Sequence, residues 1–528
     1  MAVQLKTLIC QINVQNGCFY SKKDKDFALH LYERHSLQSM LETTGEVMRD
    51  KKWRDLCDKY IAVVTVLIDN GPVDWISTFI NGFNEQETFA MCVGSLKTVC
   101  RFAESKSFAG RDYTVYDASD FEDVAYKGYL VLNLLQFLLK KLVLVGRGNK
   151  DLDHWRALLQ NCYFCVFIVS QHAERHQWTS EKSTECAVEC IQLLKEEFCC
   201  LSMCQLLILD TKYVSPLVES ETEYKSAVKK SIYGKLLVQW KPMLQRNTWK
   251  YNPVVCASFS WCLEQMIFPY VSDFIELILP PTLLFIDDHE LHNKMNGTNC
   301  LIHILKNTTG EELRWYGRAE VIYSALKLQL VSTEETLLPL THEAMFLTLK
   351  ILEKNPDALG TNTRYDEVLQ NVLQAASHEN KLALRRVHTQ PLKHFIEILG
   401  INSVKYTPIL LEVIEEYLDV SDAPTEEARL NILDTLNVFI KVAYPRMHAH
   451  MGSLMKILVK VLHNIVSKTW NIKESVKENL TKKCVECFEL LKAVDGVFFT
   501  KTISSMKSLP FDSACTEIFD RLLASVSL

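Results

Sequence analysis

Two histidines four residues apart, His172 and His176 in His-Ala-Glu-Arg-His, would share one face of a helix and could hold a divalent cation. A metalloprotease of that design places Glu directly after the first His so that it reaches the bound water, and Glu174 stands two places on. The pair therefore reads as a polar helix end. Cys162-Tyr-Phe-Cys165 and Cys484-Val-Glu-Cys487 both have the two-residue spacing of a zinc half-site, but they lie over three hundred residues apart in apolar, helical surroundings. Thiols in such runs act as small hydrophobes of the core. His448 and His450, two apart, point to different helix faces. Cys199-Cys200 with Cys204 lacks the flanking charges that activate a thiol.

Nucleotide chemistry finds no better footing. Gly234-Lys235 is followed by Leu236 where a phosphate loop needs Ser or Thr, and Gly146-Arg-Gly148 lacks the third glycine and the preceding strand of a dinucleotide site. No Gly-x-Ser-x-Gly elbow or kinase signature is present. The sequence predicts a chain that is not an enzyme, with no catalytic residue, cofactor or metal.

What elements would such a chain build? It has 528 residues, 48% hydrophobic and 23% charged, with a formal net charge of −6, so nothing favours generic binding to nucleic acid or an anionic membrane. Glycine at 17 and proline at 14 residues fall well below the usual ~7% and ~5%, which starves an all-β chain of its turns. The apolar positions recur at three- and four-residue steps, as in Leu433, Leu436 and Ile440 or Leu301, Ile304 and Leu305. Breaks rich in Gly, Pro, Asn or Asp fall at 109–119, 146–153, 210–222, 247–253, 355–363 and 419–424. Eighteen cysteines, an N-terminal stretch too short in apolar residues for a secretory signal, and no apolar run of ~20 residues predict a reducing setting, cytoplasmic and nuclear.

The second half repeats. A polar or acidic helix start, a basic residue and then an apolar helix recur, and the markers Lys294, Glu343, Arg385, Arg429 and Lys477 are separated by 49, 42, 44 and 48 residues. That brackets the ~40–47-residue period of HEAT and armadillo helix pairs. The predicted fold is all-α, an extended α-solenoid of HEAT/armadillo-like repeats, with an N-terminal helical region over 1–270 and a second over 271–528. In this frame Asp288 would cap a helix, Glu426 and Glu427 would meet the positive end of a helix dipole, and Pro280-Pro281 would end the preceding helix.

Ordered blocks of the second half carry a resemblance. Leu279-Pro-Pro-Thr-Leu-Leu-Phe-Ile-Asp-Asp-His289, Gly317-Arg-Ala-Glu-Val-Ile-Tyr-Ser-Ala-Leu326, Tyr365-Asp-Glu-Val-Leu369, Leu384-Arg-Arg386, Glu426-Glu-Ala-Arg-Leu430 and Tyr444-Pro-Arg446 resemble the Tel-two-interacting protein two family over roughly 279–495. The resemblance implies a non-catalytic subunit of the Triple T co-chaperone complex, a hetero-oligomer. Its implied partners are the Tel-two protein, Tel-two-interacting protein one and the heat-shock protein ninety machinery. Its implied clients are phosphatidylinositol-kinase-related protein kinases of the mTOR, ATM and ATR classes. No catalytic residue carries over. Asp288, Lys294, Arg318 and Arg429 stand as partner-contact or repeat-frame candidates, with helix capping the competing account. Two other readings are open from the residues: a transport adaptor, marked by capture of a small GTPase or basic localisation peptides, and a metal-dependent enzyme, marked by stoichiometric metal.

Overall fold

The computed structural model describes residues 2–15, 18–49, 56–76, 86–105, 107–108, 116–146, 161, 163–208, 230–467, 472–507 and 511–524. Nearly all of these lie in helices; the exceptions to helix and turn are two two-residue strands, Val14–Gln15 and Cys18–Phe19, paired antiparallel. The expected breaks at 109–119, 146–153 and 210–222 lie largely outside the described residues, as does Cys162. Contacts divide the chain into two units, residues 1–284 and 285–528.

In the first unit Leu37–Arg49 packs on Gln86–Ala103, Cys57–Asn70 on Glu122–Gly146, and Glu122–Gly146 on Glu181–Glu197. Helix ends follow local chemistry. Ser21, Ser180 and Ser231 each stand before a helix and accept from a backbone N–H three residues on, filling donors that the first turn cannot use itself.

The second unit shows the repeat most clearly. One layer runs through Leu291–Lys306, Leu337–Leu352, the short pair Leu382–Thr389 and Leu392–Leu399, Glu427–Val442 and Glu474–Val494. The other runs through Arg318–Gln329, Arg364–Ser377, Thr407–Asp419, Met451–Ser467 and Ser513–Ala524. Helices pack across the layers, as Arg318–Gln329 does on Leu337–Leu352 and Thr407–Asp419 on Glu427–Val442, and along them, as Leu291–Lys306 does on Leu337–Leu352 and Glu427–Val442 on Glu474–Val494. All five sequence markers, Lys294 to Lys477, ride on helices of the first layer.

Side-chain bonds tie successive repeats at the same period. Tyr323 Oη donates to Glu367 at 2.6 Å, Tyr406 Oη to Asp366 at 3.1 Å, Tyr417 Oη to the Ala376 carbonyl at 2.9 Å, and Asn431 Nδ2 to Thr389 Oγ1 at 3.2 Å. Their partners lie 44, 40, 41 and 42 residues apart. Gly297 allows another close approach, since a Cβ there would lie 2.7 Å from the Ile286 backbone nitrogen.

Two expectations need correction. Pro280 and Pro281 do not end a helix; they sit inside Ile275–Ile286. The carbonyls that lose N–H partners belong to exposed Glu276 and half-buried Leu277, where water can reach, while Ile278, Leu279, Phe285 and Ile286 are buried and hold the helix together. The second is refined at Glu426, which takes the N-cap of Glu427–Val442 at the positive end of the helix, as expected, but lies one place before its first turn, fully buried and left-handed at φ 53°. Glu427 is exposed.

Leu433, Leu436 and Phe439 of Glu427–Val442 are wholly buried. Leu436→Asp, which sinks a charge and leaves a void, will cost about 3–5 kcal/mol. Glu427→Gln will cost about 0.3 kcal/mol through the helix dipole. Chemical denaturation of the two variants checks this, and equal small losses would place the buried face elsewhere.

Candidate partner-contact residues and a buried ion network

Thirteen residues link the four candidates' most connected member to its surroundings: the segment from Asp419 to Asn431 folds a tight turn between two repeat helices. Most of the turn is exposed, but Asp422 and Glu426 are buried, so their charged side chains need partners there. Asp422, almost fully buried, accepts from Arg386 Nε at 2.8 Å and from the Ala428 N–H at 3.1 Å, while Arg386 Nη2 donates to the Asp422 carbonyl at 2.6 Å. The Glu426 carboxylate takes the Ser421 hydroxyl and lies 3.4 Å from Arg429 Nη1. Arg429 Nη2 reaches the Asp419 carbonyl at 3.3 Å. Arg385 completes the region with its guanidinium carbon 3.9 Å from the Tyr417 ring centre and Nη1 3.4 Å from Glu416.

Arg429 is 1% exposed, held between the Glu426 carboxylate and the Asp419 carbonyl. Asp288 is also buried; it accepts from Asn293 Nδ2 at 2.7 Å and lies 3.1 Å from His289 Nδ1. The N-cap position of the following helix belongs to Glu290, whose side chain makes no capping bond. Arg318 donates to the Glu312 carbonyl at 3.2 Å and pairs with its carboxylate at 3.3 Å. The half-buried Lys294 makes no side-chain hydrogen bond or ion pair among the described residues. The structure does not bring the four together into one site.

The thiols and imidazoles are quiet. Cys484 and Cys487 are buried, and burial pushes the Cys484 thiol up to about 12 against the pull of the Arg429 guanidinium. Cys165 is raised by its hydrogen bond with Cys100 and by burial. Among the described residues no group of three or more His, Cys, Asp or Glu is placed to hold a metal ion. His172 does end its helix, but its ring is buried rather than on a polar end, and burial lowers it to about 4. His176 stacks instead on Trp178, ring centres 4.5 Å apart. His342 and His388, on successive repeats, are buried as well, and burial lowers His342 to about 3. Among the described residues no helix is long and apolar enough to cross a membrane.

An open depression near the C-terminus is lined by Lys492, Asp495, Val497, Thr500, Lys501 and Ser504. The Tti2 family model matches residues 165–425. TELO2-interacting protein 2 of Homo sapiens is 32% identical over 376 residues, 70% of each chain, and the Mus musculus protein 31% identical over 391 residues, 73% of each. The chain belongs to the Tti2 family. For the Rattus norvegicus relative the match is 34% over 330 residues and spans 61% of that protein. Yeast importin-β (Kap95p) superimposes with a TM-score of 0.44 at 12% identity, covering 96% of this chain and 68% of that one; at that score the likeness says nothing of function.

The words that carry the family resemblance now have a physical meaning. Leu384-Arg-Arg386 and Glu426-Glu-Ala-Arg-Leu430 supply the two sides of the buried ion network, and Tyr365-Asp-Glu-Val-Leu369 supplies Asp366 and Glu367, which take bonds from neighbouring repeats. Asp422 was not among the candidates; its signal was the Asp-Ala-Pro break itself, where the start of the next helix needs an acceptor for its backbone N–H.

In this Tti2-family chain Arg429→Met will strand Glu426 as a buried, uncompensated charge and cost about 3–5 kcal/mol, and adding Glu426→Gln will recover part of that loss. Denaturation of the single and double variants checks it; a single-variant cost under about 1 kcal/mol would deny the pair a framing role.

The histidines set a pH dependence. Unfolded imidazole binds a proton below about pH 6.5, whereas His172 and His342 stay neutral in the fold until about 4 and 3. Stability is therefore full above about pH 6.5 and falls as pH drops toward 4, by up to about 1.4 kcal/mol per pH unit for each such group. His342→Gln will make the curve shallower by one group's share. Parallel curves for the variant and wild type would remove His342 from the account.

Proposed function

We propose that this chain is a non-catalytic scaffold subunit of a TELO2-containing co-chaperone complex. In that role it joins TELO2 and Tel-two-interacting protein one, and with heat-shock protein ninety it helps mature and stabilise phosphatidylinositol-kinase-related protein kinases. What carries the reading is family membership: its mammalian relatives, matched over about 70% of the chain, are named for interaction with TELO2. The fold is consistent with it, because stacked helix pairs offer long surfaces to other proteins without any pocket. The working place would be cytoplasmic and nuclear, where these kinases act.

Depleting the protein in its own cells will lower several kinases of this class together while their messenger RNA stays unchanged, since a client that stays partly unfolded is cleared by proteolysis. Immunoblots and transcript counts check it. Normal kinase levels after full depletion, with a defect in nuclear import, would favour a transport adaptor instead.

A further inference from the structure

Tyr316 and Gly317 are consecutive left-handed residues, at φ 56° and 66°. Glycine takes that conformation freely, but a tyrosine is strained there, and strain of this kind persists where the surrounding structure imposes it. What the turn delivers is exposure: Tyr316 is 87% and Trp315 61% exposed, with the Arg318 guanidinium 5.2 Å from the Tyr316 ring centre. Along the helix Arg318–Gln329 that follows, Ala319, Ile322 and Leu326 face the core. At 100° per residue Val321 and Leu328 stand on the opposite side, and Val331 lies about one turn beyond. Leu328 is 74% and Val331 82% exposed.

This side is not a stacking seat for another repeat. The neighbouring helix Arg364–Ser377 is reached through Tyr323 and Lys327, from a different side of the helix. The charges bordering the helix are matched, Arg314 with Glu311 at 2.7 Å, Arg318 with Glu312 at 3.3 Å, Glu320 with Arg364 at 3.3 Å, and Lys327 with Glu367, while the exposed Glu334 and Glu335 beyond Val331 are acidic. A rim that is paired or acidic around five large apolar side chains does not recruit a polyanion. Their exposed area is on the order of 600 Å², more than most monomers leave bare and most of the ~800 Å² that one side of a standard interface needs. Exposed Trp and Tyr are the residues that anchor such interfaces.

The geometry points to a docking face, Trp315 to Val331, for the apolar side of an amphipathic helix from a protein partner. Val321 to Val331 spans about 15 Å, so the partner helix needs about three turns with apolar residues at i, i+3 or i+4, and i+7. The assignment rests on the reading of this chain as a subunit of the TELO2-containing complex, and the probe is accordingly co-expressed TELO2 and Tel-two-interacting protein one.

Titration of the full chain against that pair by calorimetry tests it. Leu328→Glu and Tyr316→Asn will each weaken binding at least tenfold. Tyr316→Asn will leave the unfolding temperature equal or higher, because asparagine tolerates the left-handed turn. Val497→Glu, at an exposed residue elsewhere on the same unit, will bind as wild type does. Binding within twofold of wild type for both Leu328→Glu and Tyr316→Asn overturns the docking face and leaves the proposed function standing. Failure of the wild-type chain to bind overturns both. Self-association of the chain alone, abolished by Leu328→Glu, gives the face to a second copy and also overturns the assignment.

Discussion

A pair of short helices cannot bury its own apolar stripe, and every other feature of this chain follows from that shortage. The pair must be covered by the next pair, which must be covered in turn, so the core of the second unit is a continuous seam instead of a centre. The buried residues of Glu427–Val442 show it: Leu433, Leu436 and Phe439 are closed off by packing against helices before and after them in the chain. Directionless apolar packing leaves the register between pairs weakly specified. The bonds from Tyr323, Tyr406 and Tyr417 supply a direction, because each hydroxyl finds its acceptor only when one repeat is seated squarely on the next.

The ion network around Asp422 answers a different problem. The turn between these stacked helices is mostly exposed, yet it sinks the charged side chains of Asp422 and Glu426. Arg386 and Asp422 satisfy one part of it, and Glu426 and Arg429 another. Burying these charges is expensive, and apolar substitutes of like volume can be as stable. Their use here fits the backbone geometry: a left-handed Glu426 and the carbonyls of Asp419 and Asp422 take donors with several N–H groups in a fixed fork, which arginine has.

Burial keeps the Cys484 thiol protonated and the His342 imidazole neutral at physiological pH. The surface of the second unit carries matched ion pairs and the apolar face that begins at the strained Tyr316 turn. Such a surface suits recognition by another folded chain, where shape and desolvation do the selecting.

Periodicity, composition and spacing were enough to determine an all-helical chain with a repeat near 45 residues, because apolar steps of three and four and a scarcity of Gly and Pro act locally on each segment. The family words were legible for the same reason: they are contiguous. Other features depend on residues brought together from afar or on how deeply a segment is sunk. Pro280 and Pro281 signal a helix end locally, yet burial of Ile278 and Phe285 carries the helix through them. Glu426 reads as an acid at the positive end of a helix and Arg429 as a partner-contact or repeat-frame candidate, yet the fold closes over both. Arg386 and Asp422 lie 36 residues apart and acquire meaning only when one repeat seats on the next. Local propensity sets which elements form; the depth to which stacking buries them decides whether a charge becomes a contact surface or part of the frame, since only burial removes the water that would otherwise satisfy it.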